Sequence, residues 1–501
     1  MSLKRNIIAN YLGQAWTALI GLALVPTYIQ YLGIEAWGLI GFMALFQAWL
    51  NLLDLGLSPT LSREMTRSQA GALNAQSIRD LLRSFELIYS VIAFIILCLF
   101  WLIAPWLANN WLTSTLLNPA SIRNAISVMG LVLATRMVEQ VYRGAILGLQ
   151  HQVWLNSMQS FLATIRWVGV LGVLAYVSST IEAFFLWQGL ISIISALILA
   201  IKTYRLLPIG MRAARFDLVA VLRVRRFAGG IALTTLLALL LTQVDKLLLS
   251  KLVSLEDFGY YTLAGSVAGA LGFLVSPIAT AVSPRLTELV AKSQPELLID
   301  TFHRASQWLA VLLIPVALAI VLFSEPLLYV WTGNVNLARL VAPLLALIAL
   351  GTLLNGFMHI PYMVQLAHGW TGFAVRMNTV AVCLEVPFLL WVVPRFGSIG
   401  AAWVWLTLNA GYLLIGTHFM HRRLIPGEKW IWYKNAVFKP LIFGAIAMFL
   451  LRYTITLPDS RVSMALVLGG IIVLDMMIVL YIVPAPRIFL QNKFKTLLFH
   501  I

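Results

Sequence analysis

A stripe of charged and amide side chains runs along one predicted helix of this chain. Arg136, Glu139, Gln140 and Arg143 recur at i, i+3, i+4 and i+7 within the apolar stretch 131–150, so a helix places them on one narrow face. An arginine at the centre of a bilayer costs about 2.5–3.5 kcal/mol even on the lenient insertion scale. A stripe with two such arginines therefore indicates a face that lines water, a partner helix or a charged ligand. We interpret the stripe as part of a pathway for an anionic substrate.

Two further predicted helices in the same half of the chain carry polar faces of their own. Their members are Gln47, Asn51, Asp54 and Ser58 on the second predicted span, and Asn156, Gln159 and Arg166 on the fifth. The alternative is that these groups only hold helices together, with Arg136 or Arg143 paired to Glu139 or Asp54. Three polar faces in one half favour a shared wet cavity. Its candidate substrate-binding residues are Arg136, Arg143, Arg166, Gln140 and Gln159.

The elements that must position these residues are membrane-spanning helices. The chain has 501 residues, of which 61% are hydrophobic and only 11% charged, and this composition is typical of a polytopic membrane protein. The net charge of +16 is better explained by basic cytoplasmic loops than by nucleic-acid binding. Cys98 and Cys383 both lie in apolar runs, so we expect neither a disulfide framework nor a thiolate metal site.

The apolar runs predict about fourteen transmembrane helices and an all-α fold. The first apolar run is interpreted as an uncleaved first helix rather than as a signal peptide. Lys and Arg concentrate in the tails and in the even-numbered gaps between spans, which predicts that both termini are cytoplasmic. The predicted spans are 6–30, 37–60, 85–108, 124–149, 156–177, 182–203, 228–250, 258–283, 304–325, 340–366, 373–394, 399–420, 437–456 and 462–483.

A basic stretch from Lys202 to Arg226 divides the spans into two lobes. Arginines alternate there with apolar residues, a mixture that predicts an interfacial helix on the anionic inner leaflet. The predicted organisation is an N-lobe of spans one to six (1–203), a basic linker or interfacial helix (204–227), a C-lobe of spans seven to twelve (228–420), and two extra spans with a cytoplasmic tail (421–501).

Short sequence matches lie at equivalent places in the two lobes. Glu35 in "YLGIEAWGLI" aligns with Glu256 in "KLVSLEDFGYY", Gly38 aligns with Gly259, and Arg63 aligns with Arg285. An even number of spans per repeat makes the repeats parallel, related by a pseudo-twofold axis along the membrane normal. Arg63 and Arg285 are explained most simply as positive-inside anchors, and the alternative is a pair of cations at the cytoplasmic mouth.

Acidic residues within the spans are candidates for ion coupling. These are Asp54, Glu139 and Glu385, and Glu385 lies mid-span with no cation one helical turn away. The sequence contains no Walker-type phosphate loop, no zinc-ligand cluster and no Asp-x-Asp motif. We therefore predict no cofactor, no metal site and no enzymatic activity.

The motifs "IIANYLGQAW", "VPTYIQYLGIEAWGL" and "LLDLGLSPTLSREM" resemble those of the Wzx-type polysaccharide (O-antigen) flippases. These form the polysaccharide transporter family of the multidrug/oligosaccharidyl-lipid/polysaccharide exporter superfamily. The resemblance covers the whole chain as an architecture, but its local motifs lie mostly in the first 65 residues. It implies two lobes around a cationic cavity, with arginines that bind the substrate and a lateral groove formed by the two extra spans.

The implied function is transport of undecaprenyl-pyrophosphate-linked glycan repeat units from the inner to the outer leaflet of a bacterial inner membrane by alternating access. The implied partners are this lipid-linked oligosaccharide, membrane lipid and the glycan polymerase or chain-length proteins of the same pathway, but no nucleic acid. Two alternatives remain open at this point. One is a drug or metabolite exporter of the same superfamily, which should carry a more acidic cavity, and the other is a membrane enzyme of glycan assembly.

Overall fold

The computed structural model describes residues 3–54, 57–69, 74–208 and 210–488, with side chains except at 3–10, 51, 53 and 219–235. The described residues are almost entirely helical and form no strand beyond one isolated bridge between Thr113 and Ser254. They divide into two compact units, 1–259 and 260–501. The predicted all-α membrane fold is confirmed.

The first unit is built from ten helices of the described chain, the last of which crosses the boundary at residue 259. They are α1 (Leu3–Ala23), α2 (Val25–Leu32), α3 (Ile34–Leu53), α4 (Leu57–Gln69), α5 (Ala75–Trp106), α6 (Pro119–Gly148), α7 (Gln152–Tyr176), α8 (Ile181–Leu206), α9 (Leu218–Leu252) and α10 (Leu255–Gly269). A π-helical turn, Leu107–Trp111, extends α5.

The second unit continues with nine helices among the described residues. They are α11 (Gly272–Ala291), α12 (Pro295–Leu322), α13 (Ser324–Thr332), α14 (Val335–Ala367), α15 (Thr371–Gly411), α16 (Thr417–Leu424), α17 (Lys429–Trp432), α18 (Lys439–Thr454) and α19 (Arg461–Ile482). The π-helical turns Tyr412–Gly416 and Tyr433–Phe438 join α15 to α16 and α17 to α18. The last two long helices, α18 and α19, pack on each other and on α12.

Eleven helical segments of the described chain are long and apolar enough to cross a bilayer. One of them, Thr371–Leu424, would be about 80 Å long as a straight helix, more than twice the thickness of the hydrocarbon core. It turns back at Gly397, where φ is 56° and ψ is −144°, and the Tyr412 hydroxyl then donates to Asn378 Oδ1 at 2.8 Å. This segment therefore counts as two spans. When α9 and the shorter apolar helix Ile34–Leu50 are added, the number of spans agrees with the prediction of about fourteen.

Helix α6 lies at the centre of the first unit, where it packs against α3, α4, α5, α7 and α8. Its apolar residues, among them Met129, Leu133, Met137 and Val141, are fully buried against these neighbours. The face with the predicted polar stripe is not covered by these apolar contacts. The burial of one side of α6 therefore fixes the direction of the other.

The predicted basic linker, 204–227, contains the ends of two long helices. Helix α8 ends at Leu206 and α9 begins at Leu218 and runs into span seven without a break, and the described residues between these two helices are not helical. Asp80 on α5 accepts hydrogen bonds from Arg212 Nη2 at 2.7 Å and from the backbone N–H of Arg215 at 2.8 Å. These bonds hold the linker as an extended strap on the end of α5.

Two glycines of the predicted repeat make reciprocal contacts. A Cβ added to Gly38 would lie 2.5 Å from the carbonyl oxygen of Leu255, and one added to Gly259 would lie 2.5 Å from that of Ile34. In the repeat alignment Gly38 corresponds to Gly259 and Ile34 to Leu255. The backbones at the starts of α3 and α10 are therefore in direct contact. The contact is made twice, by Gly38 with Leu255 and by the equivalent residues Gly259 and Ile34.

Candidate functional site

A polar cavity of about 520 Å³ lies within the first unit, with walls from α3, α4, α6 and α7. We call it the arginine cavity, because Arg136 and Arg143 of α6 and Arg166 of α7 line it together. Its other lining residues are Gln47, Leu50, Ser58, Pro59, Ser62, Glu139, Gln140, Gly144 and Leu147. The structure thus brings the predicted stripe of α6 together with Gln47 and Ser58 of span two and Arg166 of span five, whereas Asp54, Asn156 and Gln159 do not line the cavity.

Small residues allow α4 to form part of the cavity wall. A Cβ on Gly144 of α6 would lie 2.8 Å from the carbonyl oxygen of Ser58, so the two backbones are in direct contact. The hydroxyl of Thr66 donates to the carbonyl oxygen of Gly148 at 2.9 Å and fastens α4 to the end of α6. This close approach carries Ser58 and Ser62 to the cavity beside the arginine stripe.

Amide side chains hold two of the three arginines in position. Arg136 donates from Nη1 to Gln47 Oε1, and from Nη2 to Gln188 Oε1 at 3.5 Å. Arg143 donates from Nη2 to Gln159 Oε1 at 3.3 Å. If the amide of Gln159 is turned over, its oxygen accepts from Arg143 Nε at 2.7 Å, so Gln159 holds Arg143 in either orientation. A neutral amide orients a guanidinium group without cancelling its charge.

The arginines of this cavity are not ion-paired to carboxylates within the described part of the chain. No carboxylate oxygen there lies within 4.0 Å of a nitrogen of Arg136, Arg143 or Arg166, and Arg166 donates no hydrogen bond to any described residue. The ion pairs of the first unit lie elsewhere, at Arg67–Glu64, Arg83–Glu86, Arg212–Asp80 and Lys246–Asp245. The alternative in which Arg136 or Arg143 pairs with Glu139 or Asp54 is therefore not what the structure contains.

Two predicted acidic residues of the first unit occupy different environments. Glu139 lines the arginine cavity, is only 7% exposed, and interacts electrostatically with Arg136 and Arg166. Asp54 is also buried, but it does not line the cavity. It accepts hydrogen bonds from the hydroxyl of Tyr89 and, at 2.6 Å, from that of Ser58. The carboxylate of Asp54 is thus bound by protein hydroxyl groups.

The third predicted acid, Glu385, lines a separate cavity of about 420 Å³ inside the second unit. We call this the Glu385 cavity. The two halves of the hairpin centred on Gly397 form it. Its other lining residues are Met377, Val380, Ala381, Leu384, Phe388, Val404, Thr407, Leu408, Gly411, Tyr412 and Ile415. Apart from Thr407 and Tyr412, the side chains that line this cavity with the single carboxylate are apolar.

The two arginines predicted at a cytoplasmic mouth lie in different units. Arg63 is exposed on α4. Arg285 on α11 is half exposed and pairs with Glu288 at 2.8 Å, which also accepts from Lys292. Neither lines the arginine cavity. Their role at a shared opening stays a prediction.

Sequence reasoning missed Gln188. It lies on α8, is 1% exposed, and supplies the second amide partner of Arg136. A signal for it is present, since Gln188, Ser192 and Ser195 recur at i, i+4 and i+7 in an apolar span and are all buried. A fourth polar face in the first lobe was therefore readable from the sequence.

Comparisons with known proteins agree with this architecture. The model of the family described as "Polysaccharide biosynthesis protein" matches residues 3–290, and the model described as "MatE" matches residues 231–391. A Shigella flexneri protein provisionally assigned as an O-antigen transporter is 20% identical over 405 residues, which make up 81% of this chain and 94% of that protein.

Solved structures of transporters share the fold. A lipid II flippase, MurJ, in an inward closed conformation has a TM-score of 0.70 at 13% identity and covers 98% of this chain and 99% of its own. An inward-facing multidrug resistance transporter of the MATE family and MOP superfamily has a TM-score of 0.62 at 12% identity, with coverage of 81% and 94%. At these identities the likeness establishes the fold alone.

Proposed function

The chain belongs to the family described as "Polysaccharide biosynthesis protein", and from this premise we propose that it is a multi-pass membrane transporter of the MOP superfamily with the following substrate and mechanism. The substrate is an undecaprenyl-pyrophosphate-linked oligosaccharide. The protein moves it from the inner to the outer leaflet of the bacterial inner membrane by alternating access. Both termini lie in the cytoplasm in this proposal, and a glycan polymerase or chain-length protein receives the product.

The observation that supports this proposal best is the way in which the cavity arginines are held. Gln47, Gln188 and Gln159 orient Arg136 and Arg143, and no described carboxylate pairs with them. A buried charge that has no protein counter-ion is costly, and an anionic ligand removes that cost when it binds. Guanidinium forks bind phosphate oxygens in bidentate pairs and stay charged. A pyrophosphate diester fits both requirements.

The remaining parts of the substrate follow from its chemistry. The sugar units occupy the wet part of the arginine cavity, where Gln140, Ser58 and Ser62 offer hydrogen bonds. The polyprenyl tail stays in lipid along a groove formed by α18 and α19. An inside-negative membrane potential favours outward movement of the anion by about 2.3 kcal/mol per charge per 100 mV.

Ion coupling is a further part of the proposal. Of the three candidates, Glu139 lies in the arginine cavity, Asp54 is bound by Tyr89 and Ser58, and Glu385 lies in a cavity of its own. A cation that accompanied the substrate through the arginine cavity would meet Glu139 alone among these acids.

The test of this function uses Arg143 in a strain that lacks the native gene. We expect Arg143→Ala to abolish surface polysaccharide, because the cavity loses a fork that binds phosphate. Arg143→Lys should restore only part of it, since an ammonium group keeps the charge but not the bidentate geometry. Surface polysaccharide is measured by gel analysis of cell extracts at matched protein levels.

Arg304→Ala is the matched control. Arg304 lies on α12 of the second unit, is exposed, and pairs only with Asp300 one turn away among the described groups that contact it. Its substitution removes the same charge from a site outside both cavities and should leave surface polysaccharide unchanged. Wild-type polysaccharide in both Arg143 variants would contradict the arginine-based substrate site.

A second function is favoured by a specific observation and needs its own test. The Glu385 cavity, with apolar walls and one carboxylate, is the more acidic type of site that a small-molecule cation exporter requires, and it lies partly within the match to the MatE model. In a deletion strain, higher susceptibility to lipophilic cations with normal surface polysaccharide would favour this exporter over the flippase.

A further inference from the structure

Glu139 is the one acidic side chain among the described residues that line the arginine cavity. On α6 it follows Arg136 by three residues and precedes Arg143 by four, so it shares their face of the helix. It is 7% exposed. Three guanidinium groups and this carboxylate leave the cavity with a formal charge of +2.

The position of this carboxylate differs from that of a salt-bridge partner. Its oxygens lie more than 4.0 Å from every nitrogen of Arg136, Arg143 and Arg166, yet it interacts electrostatically with Arg136 and Arg166. The amides of Gln47, Gln159 and Gln188 already orient the arginines, so Glu139 is not needed for that purpose. At this separation the carboxylate lowers the electrostatic potential of the cavity but leaves the guanidinium forks open to a ligand.

We propose that Glu139 sets the charge of the substrate site and thereby limits how tightly a diphosphate group is held. This inference rests on the proposed function of the arginine cavity. The Coulomb energy of a bound anion is proportional to the product of the ligand charge and the site charge. A site of +3 would hold a diphosphate more tightly than a site of +2, and it would release the diphosphate more slowly on the far side.

Glu139 is thus a specificity-determining residue with a predictable signature. Removal of its charge should strengthen binding in proportion to the charge on the ligand, whereas a purely structural role predicts weaker binding for every ligand. Farnesyl diphosphate, farnesyl monophosphate and farnesol share one apolar tail and differ in head-group charge. They separate the electrostatic effect from the contribution of the tail.

The experiment measures the binding of these three probes to the purified full-length protein in detergent at low salt. We expect Glu139→Gln to lower the Kd of farnesyl diphosphate by about tenfold and that of the monophosphate by roughly threefold, and to leave farnesol unchanged. Both effects should shrink at high salt, although less than for an exposed pair, because the cavity is partly shielded from solvent. In proteoliposomes the same variant should show a lower KM and a lower kcat for farnesyl diphosphate counterflow.

Two further variants keep the test decisive. Glu139→Leu also removes the charge and replaces Glu139→Gln if that variant folds poorly. Glu139→Asp keeps the charge and should bind the three probes with the same relative affinities as the wild type. Glu182→Gln is the matched control, because Glu182 lies in the first turn of α8 and does not line the cavity. It should change none of the three dissociation constants.

The outcomes distinguish this inference from the proposed function. If Arg143→Gln weakens diphosphate binding but both neutral variants of Glu139 bind it no more tightly than the wild type, the inference about Glu139 is wrong and the function stands. If Arg143→Gln also leaves diphosphate binding unchanged, the cavity is not the anion site and the proposed function fails with it.

Discussion

The two cavities of this molecule hold their charged groups in opposite ways. In the first unit, three arginines and one glutamate line the arginine cavity beside glutamine and serine side chains. In the second unit, a single carboxylate lies among leucine, valine and phenylalanine side chains of the Glu385 cavity. The cavities of the two lobes therefore differ in chemistry. One is suited to an anionic head group, and the other to an apolar ligand or a cation.

The largest expected effect tests the anionic half of this comparison. The double substitution Arg136→Gln and Arg143→Gln should weaken farnesyl diphosphate binding by more than a hundredfold, because each lost charged hydrogen bond is worth about 1.5–3 kcal/mol. Isothermal titration of the purified protein measures it. The pair Arg422→Gln and Arg423→Gln, on α16 outside both cavities, removes equal charge and should change the Kd less than twofold. An equal loss in both double variants would mean that overall charge, not the cavity, attracts the ligand.

The next effect separates a structural acid from a functional one within the first unit. Tyr89→Phe removes a hydroxyl that donates to the buried carboxylate of Asp54, so the free energy of unfolding should fall by about 1–3 kcal/mol. Diphosphate affinity should stay within about twofold of the wild type. Denaturant unfolding and ligand titration measure the two quantities. A large loss of affinity in the folded variant would bring Asp54 into the substrate site.

A smaller effect tests whether amides orient the arginines. Gln47→Leu removes an acceptor from Arg136 but leaves every charge in place, and it should weaken diphosphate binding roughly three- to tenfold. Gln243→Leu is the control, because Gln243 lies on α9, is partly exposed and does not line the cavity. An unchanged Kd for Gln47→Leu would show that Arg136 reaches its ligand without help from the amide.

The smallest effect concerns the second cavity. Glu385→Gln should leave farnesyl diphosphate affinity within about twofold of the wild type, because Glu385 lines a different cavity from the arginines. Titration of this variant and of Glu139→Gln under one buffer condition gives the comparison directly. Tighter binding of similar size in both variants would contradict the division of chemistry between the two cavities.

The sequence predicted the helices and the central stripe for a simple physical reason. In a bilayer, apolar length fixes where spans lie, and an arginine within a span must face something polar. Arg136, Arg143 and Arg166 were placed on inward faces by periodicity alone, and they meet in one cavity. Periodicity also put Asp54 on such a face, but it could not show that Tyr89, 35 residues later, would supply a hydroxyl to it.

The linker shows where local pattern is insufficient. Arginines alternating with apolar residues favour an interfacial helix over 204–227, but the described residues between Leu206 and Leu218 are held by α5 instead. Gln76 accepts from the backbone N–H of Arg212, and Asp80 accepts from the Arg212 side chain and from the backbone N–H of Arg215. A buried carboxylate that satisfies several donors outweighs a weak helical preference. Nothing in the linker sequence itself encodes that partner. Gln188 differs, because its polar face on α8 follows from periodicity and only its partner, Arg136, lies 52 residues away in the sequence.

The crossing at Gly38 and Gly259 joins two equivalent places of the predicted repeat. Gly38 lies against the carbonyl of Leu255, and Gly259 lies against the carbonyl of Ile34. In the repeat alignment Ile34 and Leu255 are equivalent, and each lies four positions before the glycine of its own repeat. The two contacts therefore have the form of an isologous joint, in which one glycine and one carbonyl would serve both sides of a twofold axis. In this chain the two positions are separate: a side chain at Gly38 would press on Leu255, and one at Gly259 would press on Ile34. Each half of the joint can therefore be disrupted without a change in the other.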